Sequence, residues 1–113
     1  MLKPSNALSS TATSLANELA EKKASPSHVS PSGVSFQRRM ELANIKQCAG
    51  ENISFGSWNT PLMLALLYID EGVPELGHRK SLLNPNYVEM GIGVGSYPNS
   101  MKLVIQDFSC KQQ

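Results

Sequence analysis

The sequence predicts an α+β or three-layer α-β-α arrangement around a small antiparallel sheet, and three observations lead there. Residues 6–23 place Leu8, Ala12, Leu15, Ala16 and Leu19 at three- and four-residue spacing, the period of one helix face. Near the C-terminus two strand-like runs, "EMGIGVG" and "MKLVIQDF", are joined by "SYPNS", a loop of hairpin type. Between them the order runs short helix, single strand, apolar helix, so helices must cover the faces of a sheet built from few strands.

The first helix ends in "EKKASPS", where lysines suit the negative end of the helix dipole and Pro26 forbids continuation. "SPSHVSPSGVS" is a loop by composition and carries His28. From Val34 to Ile45, the apolar residues Phe36, Met40 and Ala43 mark a short helix that turns Gln37, Arg38 and Glu41 to solvent. "GENISFG", Gly50 to Gly56, is a brief strand bounded by glycines and anchored by Ile53 and Phe55. Thr60 before Pro61 starts a helix, since Thr caps free N–H groups and Pro is favoured in the first turn. That helix, 61–71, is apolar on most sides and therefore expected to be buried, ending near Gly72 with Pro74 beyond. "LGHRKSLLNPN" reads as a helical turn stopped at Asn84 and Pro85. In the final hairpin Met90, Ile92 and Val94 alternate with Glu89 and glycines. One face is then apolar and the other almost without side chains, which implies that another element packs closely on it.

A chain of 113 residues supports one domain, 1–113, with a core of its own and no obligatory staple. With 41% hydrophobic and 17% charged residues and a net charge of +1, the composition is globular. The ten Lys and Arg are scattered, so the basic stripe that phosphate contacts require is missing and nucleic acid is not an expected partner. The longest apolar run, "PLMLALLYI", falls well short of the ~20 residues of a transmembrane helix, and none is expected. "MLKPSNALSS" lacks the charged segment and apolar core of a signal peptide. Cys48 and Cys110 permit one intramolecular bridge, and spacing alone leaves a bridge and two separate buried thiols equally open.

The only histidines, His28 and His78, lie in turns rich in glycine or proline, and each has an acidic companion: Glu51 opens the short strand, and Glu71 ends the apolar helix. Should strand and helix end lie side by side, two imidazoles and two carboxylates converge. Neutral imidazoles bind divalent ions such as zinc, each oriented by a carboxylate that accepts its other N–H. A carboxylate beside such a metal can instead act as general base on its water. The long separation of the histidines is unlike any local metal motif, and a network of satisfied hydrogen bonds is the plain alternative. No G-x-S-x-G occurs, "GIGVG" lacks dinucleotide spacing and a following helix, and the cysteines are not C-x-x-C.

Taken in order, "HVSPSGVSFQRRM", "GENISFG", "YIDEG", "GHRKSLLNPNYVEMGIGVG" and "VIQDF" resemble the CAP superfamily of cysteine-rich secretory, antigen 5 and pathogenesis-related proteins, in its compact bacterial form. The resemblance runs from about Leu8 to Phe108 and implies the three-layer sandwich. It also implies a cleft formed by His28 in the loop, Glu51 in "GEN", Glu71 in "YIDEG" and His78 in "GHR", with zinc or another divalent cation held by His28 and His78. A shift of one residue in the match selects Asp70 in place of Glu71. Cys48 before the glutamate strand and Cys110 after the last strand are then expected to form a disulfide, as suits an exported protein; Cα atoms more than about 7 Å apart rule it out. The cysteine-rich hinge of the animal proteins and the several disulfides of the plant proteins are absent, so functions tied to them do not transfer. The expectation is a secreted or cell-envelope binding module, with a host, envelope or lipid partner and no catalysis. A metal-dependent hydrolase using Glu51 or Glu71 as base is the alternative, and a purely structural tetrad a third reading.

Overall fold

Helix α1 (Asn6–Glu21) lies directly on a four-stranded sheet of β1 (Lys3–Pro4), β2 (Ala49–Gly56), β3 (Tyr87–Ser96) and β4 (Lys102–Cys110), with a short α2 (Phe36–Leu42) between α1 and β2 in sequence. These elements come from a computed structural model that describes residues 2–46, 48–56 and 86–111. The helix expected over 61–71 and the turn carrying His78 lie outside the described residues. The strand order is β1-β3-β4-β2, antiparallel except where β1 runs parallel to β3. The fold is α+β, as expected, but the sheet is mixed. The parallel β1 is two residues long, one of them a proline without an N–H, so it has no periodicity for a sequence reading to detect.

Local chemistry accounts for the helix limits. Ser5 is extended and its side chain accepts the Leu8 N–H at 3.2 Å, capping α1. At the other end Lys23 turns left-handed (φ 51°), and Ala24 N donates to Leu19 O at 2.9 Å while Lys23 N donates to Ala20 O at 3.1 Å. This is a Schellman motif built without glycine. Helix α2 repeats the arrangement, with Ser35 as its N-cap and left-handed Asn44 (φ 62°) closing it through Ile45 N to Met40 O at 2.8 Å.

The apolar stripe of α1 is the core: Leu8, Ala12, Leu15, Ala16 and Leu19 are buried, and the last four pack with Leu103 and Ile105 of β4. The glycine alternation of β3 has the cause expected of it. A methyl group on Gly91 or Gly93 would overlap the α1 backbone at Leu8–Ser9 or Ala12–Thr13, so the helix rests on bare strand backbone. Strand β2 pairs with β4 along its length, Glu51 opposite Asp107, Ile53 opposite Ile105, Phe55 opposite Leu103. Ile53 packs against the core as expected. Phe55 does not anchor in it: the residue is 41% exposed and its ring meets Tyr97 edge-on, with centroids 4.9 Å apart.

Candidate functional site

Side chains alternate along a strand, so Leu103, Ile105 and Asp107 share the face of β4 that meets α1, and Glu51 joins them from β2. The core face therefore changes from aliphatic to acidic at one end. There Thr11 of α1 donates its hydroxyl to Asp107 Oδ2 at 2.5 Å.

The loop after α1 carries His28 to the same end. Its shape is fixed by Ser30 N donating to Val34 O at 3.0 Å, Gly33 N to Ser30 O at 2.8 Å, and Val34 N to Ser30 Oγ at 3.0 Å. Glu18 of α1 holds it from below, accepting Ser32 N at 2.6 Å and Ser32 Oγ at 3.0 Å. So positioned, His28 Nδ1 lies 2.7 Å from Glu51 Oε1. The Glu51 side chain is 1% exposed and that of His28 58%. A carboxylate only accepts, so Nδ1 carries the proton and donates, and in the neutral ring Nε2 keeps its lone pair.

Arg39 completes the arrangement. The short α2 turns Gln37, Arg38 and Glu41 to solvent, as expected, and Arg39 and Met40 inward. The Arg39 Nη2 donates to Glu51 Oε1 at 2.9 Å, to Glu51 Oε2 at 2.8 Å and to the His28 carbonyl at 3.2 Å, while Nη1 donates to Asp107 Oδ2 at 3.4 Å. One guanidinium thus stands between two buried carboxyl groups and can balance the charge of only one. Burial pushes the Asp107 carboxyl up to about 8, and the neighbouring Glu51 carboxylate adds to the effect; Thr11 and Arg39 oppose it. Below that pH Asp107 holds its proton, and its Oδ1, which no donor among the described residues reaches, is the atom left to carry it. The remaining pair, Arg39 and Glu51, is then neutral overall. Burial lowers the His28 pKa below its ordinary 6.5 and the Arg39 guanidinium lowers it further, so the imidazole is neutral at pH 7.

Of the residues expected to form the site, His28 and Glu51 are brought together. His78, Glu71 and Asp70 lie outside the described residues. Among the described residues no three His, Cys, Asp or Glu side chains are grouped as a metal site. Cys48 and Cys110 form a disulfide with Cα atoms 5.4 Å apart, inside the expected limit. Sequence reading passed over Arg39, Asp107 and Thr11. Asp107 did leave a signal, an acid at the parity of Leu103 and Ile105 inside "LVIQDF".

A family model for CAP, the cysteine-rich secretory protein family, matches residues 1–108. The chain belongs to this family. Among solved structures, this CAP chain is similar to an extracellular protein containing a SCP domain from Bacillus anthracis, at 26% identity and a TM-score of 0.73. The match covers 98% of this chain and 34% of that one, so the chain spans about a third of the Bacillus protein. It is also similar in fold to an outer surface protein of Borrelia burgdorferi, with a TM-score of 0.77 at 15% identity, covering 98% and 78% of the two chains. Comparison with curated proteins finds no match. Among the described residues, no helix is long and apolar enough to cross a membrane.

Proposed function

We propose that this CAP chain, as one domain, is a non-catalytic binding module working outside the cytoplasm, secreted or at the cell envelope, where it meets a host, envelope or lipid partner. In this reading His28 supplies a donor to a divalent ion or small ligand. The observation that carries it is the His28–Glu51 pair. A buried carboxylate takes the Nδ1 proton of a half-exposed imidazole at 2.7 Å, which leaves the Nε2 lone pair for a ligand. This donor chemistry fits zinc: a neutral imidazole is a zinc ligand, and a carboxylate on its far nitrogen holds the ring and raises its basicity. His28 and His78 would hold the ion, with Glu51 orienting the first and Glu71 or Asp70 the second. A bound divalent cation supplies a Lewis acid that polarises a ligand oxygen.

Glu51 is a poor candidate for a general base. Its side chain is 1% exposed, Arg39 holds both of its oxygens and His28 one of them, so water has little access to the lone pairs that remain and taking a proton would weaken the network. The hydrolase alternative therefore depends on Glu71. The Cys48–Cys110 disulfide and the extracellular Bacillus relative support the location.

Zinc titration by calorimetry of the wild type and of a His28→Ala/His78→Ala variant tests the reading. Stoichiometric binding by the wild type, lost in the variant, is expected. Equal affinity in both, or none in the wild type, removes the metal site and leaves the network as a structural tie.

A further inference from the structure

We infer that Arg39 is the positioning residue of the His28–Glu51 pair, and that Asp107, held by Thr11, keeps Arg39 in place. Among the described residues, the guanidinium is the one group that bonds to both members of the pair. Its Nη2 reaches both oxygens of Glu51, at 2.9 and 2.8 Å, and the backbone carbonyl of His28, at 3.2 Å. It therefore fixes the height of the histidine loop above β2 and the rotation of the carboxylate that receives the Nδ1 proton. Remove it, and Glu51 keeps only the histidine as a partner among these contacts. The carboxylate is then free to turn, and the imidazole loses what selects its Nδ1–H tautomer.

The planar fork matters as well as the charge. Arg39 spans Glu51 with one end and Asp107 with the other, and the two acids stand opposite each other across the β2–β4 ladder. Asp107 cannot drift, because Thr11 holds the same Oδ2 that Arg39 Nη1 approaches. A chain of contacts thus runs from the core helix α1 through β4, α2 and β2 to a half-exposed imidazole. Lysine in place of Arg39 would restore the charge but not the fork.

The inference rests on reading His28 as the donor of the site. A structural tie would change stability alone, so the decisive readout is the His28 tautomer, from imidazole 15N shifts at a pH where the ring is neutral. The wild type is expected to show one protonated-type Nδ1 and one lone-pair Nε2. In Arg39→Lys the two shifts are expected to converge, and zinc affinity to fall about 10- to 100-fold. A folded Arg39→Lys with the wild-type tautomer overturns the inference. Should that variant not fold, Thr11→Val leaves every charge in place and must still move the His28 shifts; unchanged shifts overturn the role of Asp107 and Thr11. In the wild type itself the Arg39 Nη nitrogens must give separate, slowly exchanging resonances, and a single averaged one overturns the inference whichever variants fold. A wild type that binds no zinc but shows the tautomer contrast defeats the metal reading and leaves the positioning role standing.

Discussion

Replacing Asp107 by asparagine should remove most of one component of the pH dependence of stability. In the folded chain burial and Glu51 hold the Asp107 carboxyl near 8, against an ordinary 3.8. Below 3.8 the group is protonated whether the chain is folded or not, and it contributes no slope. Between 3.8 and about 8 the unfolded chain releases the proton and the folded chain keeps it, so stability falls as pH rises. At about 1.4 kcal/mol per pH unit, that span sets a ceiling of about 6 kcal/mol, reached only if the buried site does not relax. The asparagine side chain is neutral throughout and nearly the same shape. The stability of the wild type relative to Asp107→Asn should thus decline by several kcal/mol from pH 4 to 8 and level off above. His28 acts in the opposite sense: its lowered pKa gives stability that is present above 6.5 and lost as pH falls through the folded value. Being half-exposed and common to both proteins, it largely cancels in the difference. Urea unfolding at half-unit steps of pH measures the two curves. Parallel curves across pH 4 to 8 would refute the protonated Asp107 and with it the charge balance drawn around Arg39.

The disulfide closes a loop spanning 62 positions, which in the chain-entropy account stabilises the fold by about 4 kcal/mol. Cys48→Ser/Cys110→Ser should lose about that much in urea unfolding, and reductant should bring the wild type down to the variant while leaving the variant unchanged; a reduced wild type of full stability contradicts this. Gly93→Ala should cost about 3 kcal/mol, because its methyl group meets the Ala12–Thr13 backbone of α1, which can yield only by lifting the helix from the sheet. A change below about 1 kcal/mol in thermal or urea unfolding would mean that α1 does not rest on β3 so closely.

The fold was legible where a period repeats. Helix α1 shows its face at every turn, and the glycines of β3 announce a close neighbour before the neighbour is known to be α1. Two residues of parallel β1 carry no period, and its place is set by Ser5 N reaching Met90 O at 3.0 Å, a contact between distant segments. The site divides in the same way. His28 and Glu51 stand out as polar residues in unusual settings, and their convergence is one open possibility until the resemblance to a family favours it. Arg39 was hidden beside Arg38: two adjacent arginines on a seven-residue helix look alike in sequence, and only the turn of α2 decides that one faces water and the other two acids. Asp107 was readable by parity, yet what it opposes depends on the β2–β4 register, which no local pattern states.

The interior position of these charges is itself informative. A buried ion pair is a poor source of stability, since desolvating each ion costs several kcal/mol and apolar side chains of similar volume often serve better. Leu103 and Ile105 show that the same strand face packs well with aliphatic residues two and four positions away. What an aliphatic end could not do is hold a carboxylate in one orientation beneath a half-exposed imidazole. Arg39, Asp107 and Thr11 spend core volume on hydrogen bonds whose outermost member is His28, the most exposed group of the network. A structural tie between loop and sheet would be complete with Arg39 on the His28 carbonyl alone. The further bond from the ring nitrogen to Glu51 fixes the imidazole itself, which is what the proposed ligand site requires of it.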